Sequence, residues 1–144
     1  MTVSKWSDPR VVEDILRTHR NWAVVGCSDN PRRASNGVAR FLRDIGFNVF
    51  CVNPNHEACI PGLPCIPDLR SIDEPVDVVD IFRRSDQVLP HVEEAIEIGA
   101  KAVWMQLGVI NEEAARLAEE AGLQVVMDRC PKIEFRSEYL KAAG

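Results

Sequence analysis

The chain has 144 residues, and its 17 Lys and Arg against 22 Asp and Glu give a formal net charge of −5. Hydrophobic residues make up 46% and charged residues 27%, a composition typical of one globular domain spanning residues 1–144. The acidic balance disfavours nucleic-acid binding, which needs an excess of Lys and Arg on one face. No run approaches the roughly 18 apolar residues of a membrane span, and the N-terminus lacks an apolar signal region, so we expect a cytoplasmic protein.

The first half of the chain alternates helix and strand patterns. Asp8-Pro9 opens an amphipathic helix, and a short apolar run at residues 22–26 predicts the first strand. Apolar residues spaced at i, i+3, i+4 and i+7 predict a second helix, with Ser35 as candidate N-cap and Gly46 just past its end. The second strand follows at residues 48–52.

The second half resumes the alternation after a proline-rich segment. Residues 53–75 leave room only for a short helix near Leu69, and we expect the rest of that segment to be loop. Three further strands are predicted, at residues 76–82, 102–106 and 124–128, separated by helices that run from Pro90 to Gly99 and from Asn111 to Gly122. The pattern predicts a single α/β domain with an open, doubly wound sheet of five parallel strands in the order 3-2-1-4-5.

The chain has five cysteines, at Cys27, Cys51, Cys59, Cys65 and Cys130. They form no Cys-x-x-Cys pair, and an odd number cannot close completely into intramolecular disulfides, so we expect reduced thiols. A metal site can be drawn from Cys51, Cys59, Cys65 and His56, but these spacings match no zinc pattern. We therefore predict no metal site.

A polar loop at residues 26–37 connects the first predicted strand to the second helix. It holds Ser28, Arg32, Arg33 and Ser35 at the carboxyl end of a strand, where doubly wound sheets bind ligands. Unpaired N–H groups at a helix start, with arginines and hydroxyls beside them, can hold a phosphate or diphosphate. The alternative is an ordinary strand-to-helix loop with solvated arginines.

Two common nucleotide-binding patterns are missing. The loop lacks G-x-G-x-x-G, and G-x-x-x-x-G-K-[ST] occurs nowhere in the chain. An NAD site would place Asp or Glu after the second strand, where this chain has Asn53-Pro54. The sequence therefore disfavours an ordinary NAD-dependent dehydrogenase. Asn53 and Pro54 fit either a wall for a base or ribose, or a turn that closes the strand.

The third and fourth strands also end in candidate ligand contacts. Phe82 could pack on a purine or an alkyl chain, and Arg83 or Arg84 could bind a phosphate. Gln106 and Gly108 follow the fourth strand. A cationic cluster in an acidic protein favours a small anionic ligand, whereas the alternative is a solvated rim of arginines.

Five segments carry a resemblance to a known family. They are Val24–Ser28, Asn48–Pro54, Val76–Arg83, Gly99–Gly108 and Asp128–Glu134. In order and spacing they resemble the small stand-alone CoA-binding proteins, whose domain type also forms the N-terminal part of the succinyl-CoA synthetase α subunit. The resemblance implies a Rossmann-like domain that binds coenzyme A across the carboxyl edge of its sheet. The phosphorylated histidine of the synthetase belongs to a second domain, so ligase activity is not implied.

Carried onto this chain, the resemblance implies ten ligand contacts. The phosphates would lie on the first loop, the nucleotide beside the end of the second strand, and the rest of the ligand along the third and fourth strand ends. The residues are, in that order, Gly26, Ser28, Arg33 and Ser35; Asn53 and Pro54; and Phe82, Arg83, Gln106 and Gly108.

Several functions remain open from the sequence. The chain could bind CoA or an acyl-CoA as a carrier, a sensor or a partner-dependent module. It could instead be an NAD(P)- or nucleotide-dependent enzyme, a subunit of an acyl-CoA ligase, or an interaction domain. No catalytic set can be assigned from spacing, so we expect no independent catalysis. The chain could also have a protein partner, and the face around residues 55–67 could host a homodimer contact. Cys27 or Cys130 could form a mixed disulfide with CoA, although we favour packing roles for both.

Overall fold

The sheet is built from seven short strands in the computed structural model, which describes residues 5–55 and 58–136. The strands are β1 (Asn21–Val25), β2 (Asn48–Val52), β3 (Ala58–Ile60), β4 (Leu63–Ile66), β5 (Val78–Ile81), β6 (Ala102–Met105) and β7 (Gln124–Val126). They lie in the order β3-β4-β2-β1-β5-β6-β7. All neighbouring pairs are parallel except β3 with β4, which form an antiparallel hairpin.

Helices cover both faces of the sheet. They are α1 (Pro9–Thr18), α2 (Ala34–Asp44), α3 (Leu89–Glu97) and α4 (Glu112–Glu120), with 3-10 turns at Leu69–Ser71 and Ser85–Gln87 and a last helical segment at 131–136. Asp8 caps α1 and Asn111 caps α4 through their side chains, as the sequence predicts. The predicted cap of α2 is wrong, because the N-cap is Arg33 rather than Ser35. No described helix has both the length and the apolarity needed to cross a membrane.

Alternating side chains along each strand build two separate cores. On β1, Ala23 and Val25 face the layer made by α3 and α4, whereas Trp22 and Val24 face the layer made by α1 and α2. Trp22 lies 5.6 Å from Trp104 between ring centroids, and both side chains are fully buried. Burial on both faces explains the near-continuous apolar runs of the strands.

The Rossmann-like α/β architecture is confirmed, but the number and the order of the strands differ from the prediction. The five predicted strands lie in the order 2-1-3-4-5, not 3-2-1-4-5. The reason is β4, in a segment expected to be loop, which takes the place beside β2. With β4 counted as the third parallel strand, the order becomes 3-2-1-4-5-6, the classic dinucleotide-fold arrangement.

The expectation that all cysteines are reduced is also wrong. Cys59 on β3 and Cys65 on β4 form a disulfide, with 5.2 Å between their Cα atoms. The turn of the hairpin brings the two cysteines close together, an approach that a loop at this segment does not predict. The remaining three cysteines, Cys27, Cys51 and Cys130, are free thiols.

Candidate functional site

The site begins at the carboxyl ends of the paired strands β1 and β5. β1 pairs with β2 on one side and β5 on the other, so the chain order reverses at β1 and the loops after β1 and β5 meet there. Gly26, the first residue after β1, has φ +84°. A Cβ on Gly26 would lie 2.3 Å from the backbone oxygen of Phe82, so only glycine allows the two loops this approach.

The loop after β1 folds back onto the first turn of α2. The backbone N–H of Ser28 donates to Ser35 Oγ at 3.0 Å, and Asn36 Nδ2 donates to the Ser28 carbonyl at 2.8 Å. Arg33, the N-cap of α2, does not cap the helix with its side chain, which is exposed. The first N–H groups of a helix have no intrahelical partners, so this end of α2 offers donors and positive charge together.

These loops enclose a cleft of about 640 Å³ at the carboxyl edge of the sheet. It is lined by residues from the loops after β1, β2, β5 and β6 and by the segment after β7. They are Gly26, Ser28, Arg33, Ala34, Ser35, Asn53, Phe82, Arg83, Arg84, Gln106, Leu107, Gly108, Val109 and Cys130. The volume lies in the range usual for small-molecule and cofactor sites.

The structure brings nine of the ten sequence-predicted contact residues together along this cleft. Pro54 does not line it and lies exposed in a turn. Asn53 is buried, and its amide is used within the chain: Nδ2 donates to the Cys27 carbonyl at 2.9 Å and Oδ1 accepts from Asn55 N–H at 3.0 Å. Asn53 therefore fixes the loop after β1, and Pro54 belongs to a turn that closes the strand.

Arg83 provides the cationic centre of the cleft. Its side chain is half-buried, and its Nε is a buried donor with no hydrogen-bond partner in the described part of the chain. Burial is the main cause that lowers the pKa of the nearby His91, and the positive charge of Arg83 lowers this pKa further. His91 therefore stays neutral at physiological pH and leaves the positive charge to Arg83.

A network of hydrogen bonds fixes the wall that carries Gly108. Asp128, at φ 60°, accepts the Gly108 N–H at 2.7 Å, and Ser85 Oγ accepts the Ile110 N–H at 2.9 Å. Asn111 Nδ2 donates to the Ser85 carbonyl at 2.8 Å. The segments after β5, β6 and β7 are thus joined at the same edge of the sheet.

The buried carboxyl group of Asp80 pairs with Gln106, one of the residues that line the cleft. Asp80 on β5 is fully buried, and burial raises its pKa well above the usual value. The Gln106 side chain, with its amide nitrogen turned towards Asp80, donates to both carboxyl oxygens at 3.0 and 3.2 Å. This leaves the Gln106 oxygen as the group that can accept hydrogen bonds on the cleft side.

Asp80→Asn is expected to stabilise the protein at neutral pH. A raised folded-state pKa means that the favourable protonated form is lost as pH rises, so wild-type stability falls between the unfolded and folded pKa values of Asp80. Asn removes the charge and can still pair with Gln106, and we expect about 1–3 kcal/mol of added unfolding free energy. Urea unfolding at several pH values checks this, and a gain that does not shrink towards acidic pH would contradict it.

Sequence reasoning assigned no contact to part of the lining. Leu107, 55% exposed, and the buried Val109 add an apolar strip beside Gly108. Both residues are adjacent to the predicted contact Gly108. Their position after the end of β6 was therefore the sequence feature that could have indicated them as contacts. Cys130 lines the cleft, whereas Cys27, in the loop after β1, is fully buried and does not line it.

The cleft as a whole combines three arginines, a helix start and an apolar strip. Among its described lining residues there is no histidine, aspartate or glutamate. In a chain of net charge −5, this is a local concentration of positive charge. Such a site is suited to hold an anionic group with an apolar extension.

Comparisons with known proteins agree with this arrangement. A family model described as CoA binding domain matches residues 20–136. The uncharacterized protein YneT of Bacillus subtilis (strain 168) is 38% identical over 122 residues, covering 85% of this chain and 90% of that protein.

Two solved structures extend the comparison. A hypothetical protein from Pyrococcus horikoshii OT3 has a TM-score of 0.87 and 34% identity, covering 95% of this chain and 98% of that one. The apo form of a dinucleotide forming acetyl-coenzyme A synthetase 1 from Ca. Korarchaeum cryptofilum has a TM-score of 0.66 and 27% identity. That match covers 78% of this chain but only 26% of the synthetase chain.

Proposed function

Because the chain belongs to the CoA binding domain family, we propose that it binds coenzyme A or an acyl-CoA in the cleft between the ends of β1 and β5. CoA carries a diphosphate and a 3′-phosphate on an adenine nucleotide, followed by a thin pantetheine arm. The phosphates match Arg33, Arg83 and the start of α2, and the arm matches the strip of Leu107 and Val109.

The observation that carries this proposal is the unpartnered Nε of Arg83. A buried donor left without an acceptor costs about 1–3 kcal/mol, so such groups are rare in folded proteins. A phosphate oxygen in the cleft would supply the missing acceptor and a counter-charge. The same guanidinium lies beside Gly26, whose missing side chain leaves the approach open.

The cleft is better equipped for binding than for catalysis. Its cations and N–H groups hold an anion, and its described lining contains no carboxylate or imidazole that could act as a base. We therefore propose that the chain acts as a CoA carrier or sensor, or as a module that works through a partner protein. The similarity to about a quarter of an acetyl-coenzyme A synthetase supports the last of these roles.

Calorimetric titration tests the proposed ligand. We expect CoA and acetyl-CoA to bind, dephospho-CoA to bind more weakly if an arginine contacts the 3′-phosphate, and NAD and ATP to bind weakly or not at all. In thermal unfolding, a ligand at about 100 times its dissociation constant adds about 2.7 kcal/mol of stability. Binding of NAD without binding of CoA would overturn the proposal.

Arg33→Ala probes the edge of the cleft formed by α2. We expect the dissociation constant for CoA to rise by about tenfold or more, because a charged hydrogen bond contributes about 1.5–3 kcal/mol. Arg32→Ala is the matched control, since Arg32 is exposed on the same loop but does not line the cleft. Equal effects of the two substitutions would mean that only the general charge of the loop matters.

A further inference from the structure

Four cysteines meet on the side of the sheet covered by α1 and α2. The Sγ atoms of Cys27, Cys51 and Cys59 lie within 4.8 Å of one another. Cys59 is also bonded to Cys65, and Cys65 is the register partner of Cys51 across β4 and β2. A disulfide and two free thiols therefore form one group, which we call the cysteine cluster (Cys27, Cys51, Cys59 and Cys65).

The two free thiols of the cluster are not equivalent. Both are fully buried. A hydrogen bond from Cys27 to the Cys51 sulfur is the largest cause that lowers the pKa of Cys51, with a smaller effect from the charge of Arg43, while burial opposes both. The same hydrogen bond, together with burial, raises the pKa of Cys27. Cys51 is thus the thiol that ionises more readily, and Cys27 retains its proton.

The solvent side of the cluster is open at the hairpin. Cys65 is only half-buried, and Cys59 lines a second cavity of about 510 Å³ formed with Asp29 and residues 60–64. The disulfide thus has buried thiols on one side and a surface cavity on the other. This is the arrangement needed to pass a disulfide between the interior and the surface.

We propose that the cysteine cluster is a thiol–disulfide exchange site, in which Cys51 takes over the bond to Cys59 and releases Cys65 as a surface thiol that reacts with low-molecular-weight disulfides. The geometry that supports it is the position of the Cys51 sulfur within 4.8 Å of the Cys59 sulfur. Attack on a disulfide by a nearby thiolate is the ordinary route of exchange.

The first step of the exchange needs no external oxidant, and in the second step a low-molecular-weight disulfide is the oxidant. The Cys51 thiolate attacks Cys59 Sγ, a Cys51–Cys59 bond forms, the Cys59–Cys65 bond breaks, and its electron pair leaves on Cys65. Cys65 then takes up the proton that Cys51 lost. In a second step the Cys65 thiolate attacks a small disulfide, forming a mixed disulfide and releasing one small thiolate. The first step conserves the number of disulfides, and the second passes one from solvent to the protein.

Peptide mapping distinguishes the two disulfide states directly. Cleavage after glutamate gives one peptide of residues 14–57, with Cys27 and Cys51, and another of residues 58–93, with Cys59 and Cys65, because the bond between Glu74 and Pro75 resists cleavage. We expect the oxidised protein, equilibrated in mildly alkaline buffer and quenched with acid, to contain a fraction in which the two peptides are disulfide-linked. The hairpin disulfide alone leaves them separate, so their complete separation at equilibrium would overturn the proposal.

Alkylation of the folded, oxidised protein identifies the attacking thiol. We expect Cys65 to react with iodoacetamide roughly tenfold faster in wild type than in Cys51→Ala, because only Cys51 releases it. Cys27→Ala keeps the attacking thiol but removes the hydrogen bond that lowers the pKa of Cys51. We therefore expect Cys65 to react more slowly in Cys27→Ala than in wild type, but faster than in Cys51→Ala. Loss of reactivity in Cys27→Ala but not in Cys51→Ala would overturn the assignment. If either variant fails to fold, the wild-type peptide map still decides.

A metal measurement separates this proposal from the other chemistry open to clustered thiols. Thiolates that converge within a few ångströms also bind zinc or copper(I). We expect protein purified under reducing conditions to contain no stoichiometric metal by elemental analysis. Stoichiometric metal that disappears in Cys51→Ala would overturn the exchange site. CoA titration of Cys51→Ala is expected to match wild type, so failure here is distinct from failure of the proposed CoA binding.

Discussion

Gly26→Ala is expected to lower the free energy of unfolding by about 2–6 kcal/mol, because it combines left-handed backbone strain with a steric overlap. Gly26 has φ +84°, and its new Cβ would lie 2.3 Å from the Phe82 carbonyl oxygen. That oxygen is backbone at the end of β5, whose register is fixed by pairing with β1 and β6, so it cannot move away cheaply. Urea unfolding of the purified variant measures the loss.

Gly37→Ala is the matched control for this substitution. Gly37 lies in the first half of α2, and a Cβ there would meet no atom within 4 Å. Alanine is favoured over glycine inside a helix, so we expect a gain of about 0.5–1 kcal/mol. If Gly26→Ala were as mild as Gly37→Ala, the close approach of the two loops would not be a structural requirement.

Arg83→Ala is expected to weaken CoA binding by about tenfold to 150-fold, the range that corresponds to about 1.5–3 kcal/mol for a charged hydrogen bond. The reason is that Arg83 presents a buried, unpaired Nε to the cleft. The ligand-free protein should be no less stable than wild type, because the substitution also removes an unsatisfied donor. Calorimetric titration and urea unfolding, done on the same preparation, measure the two effects.

Arg83→Lys separates charge from geometry at the same position. Lysine keeps the positive charge but lacks the planar fork with which arginine pairs with phosphate. We expect an affinity between those of wild type and Arg83→Ala. An alanine variant that binds CoA as tightly as wild type would show that Arg83 is not a phosphate contact, and the proposed site would lose its central residue.

The elements with strong periodicity were predictable from sequence. Apolar spacing predicts α1, α2, α3 and the five buried strands. Residue types at the two ends predict α4, and they also predict the caps Asp8 and Asn111. The hairpin was not predictable in this way, because β3 and β4 are short and Pro64 breaks the strand pattern. Proline is accepted there because Pro64 precedes Cys65, the first residue of β4 that pairs with β2.

The cleft was predictable because most of its lining residues follow strand ends. Parallel strands bring their carboxyl ends to one edge, so positions after Val25, Ile81 and Met105 converge without knowledge of side-chain contacts. The interior groups were not predictable. Asp77 and Asp80 lie close together in one segment, yet Asp77 accepts backbone N–H groups near β1, while Asp80 is buried under the cleft.

The cysteine cluster shows the same limit of sequence reasoning. Cys27 follows β1, Cys51 is on β2 and Cys59 is on β3, so their meeting depends on strand order and on the hairpin. The spacing of these cysteines along the chain does not predict that they are in contact. Whether a thiol meets solvent, the core or another cysteine depends on the order of the strands.

Asn36 connects the loop after β1 to the hairpin of β3 and β4 through hydrogen bonds. Its single Nδ2 donates both to the Ser28 carbonyl in the cleft loop, at 2.8 Å, and to the Cys59 carbonyl on β3, at 3.0 Å. A movement of either carbonyl therefore displaces the Asn36 amide and disturbs its hydrogen bond to the other carbonyl. This coupling between the cleft loop and the hairpin acts equally in both directions. Deuterium uptake at the backbone amides of β3 and β4 should accordingly slow when the cleft is filled, although no described residue of either strand lines the cleft.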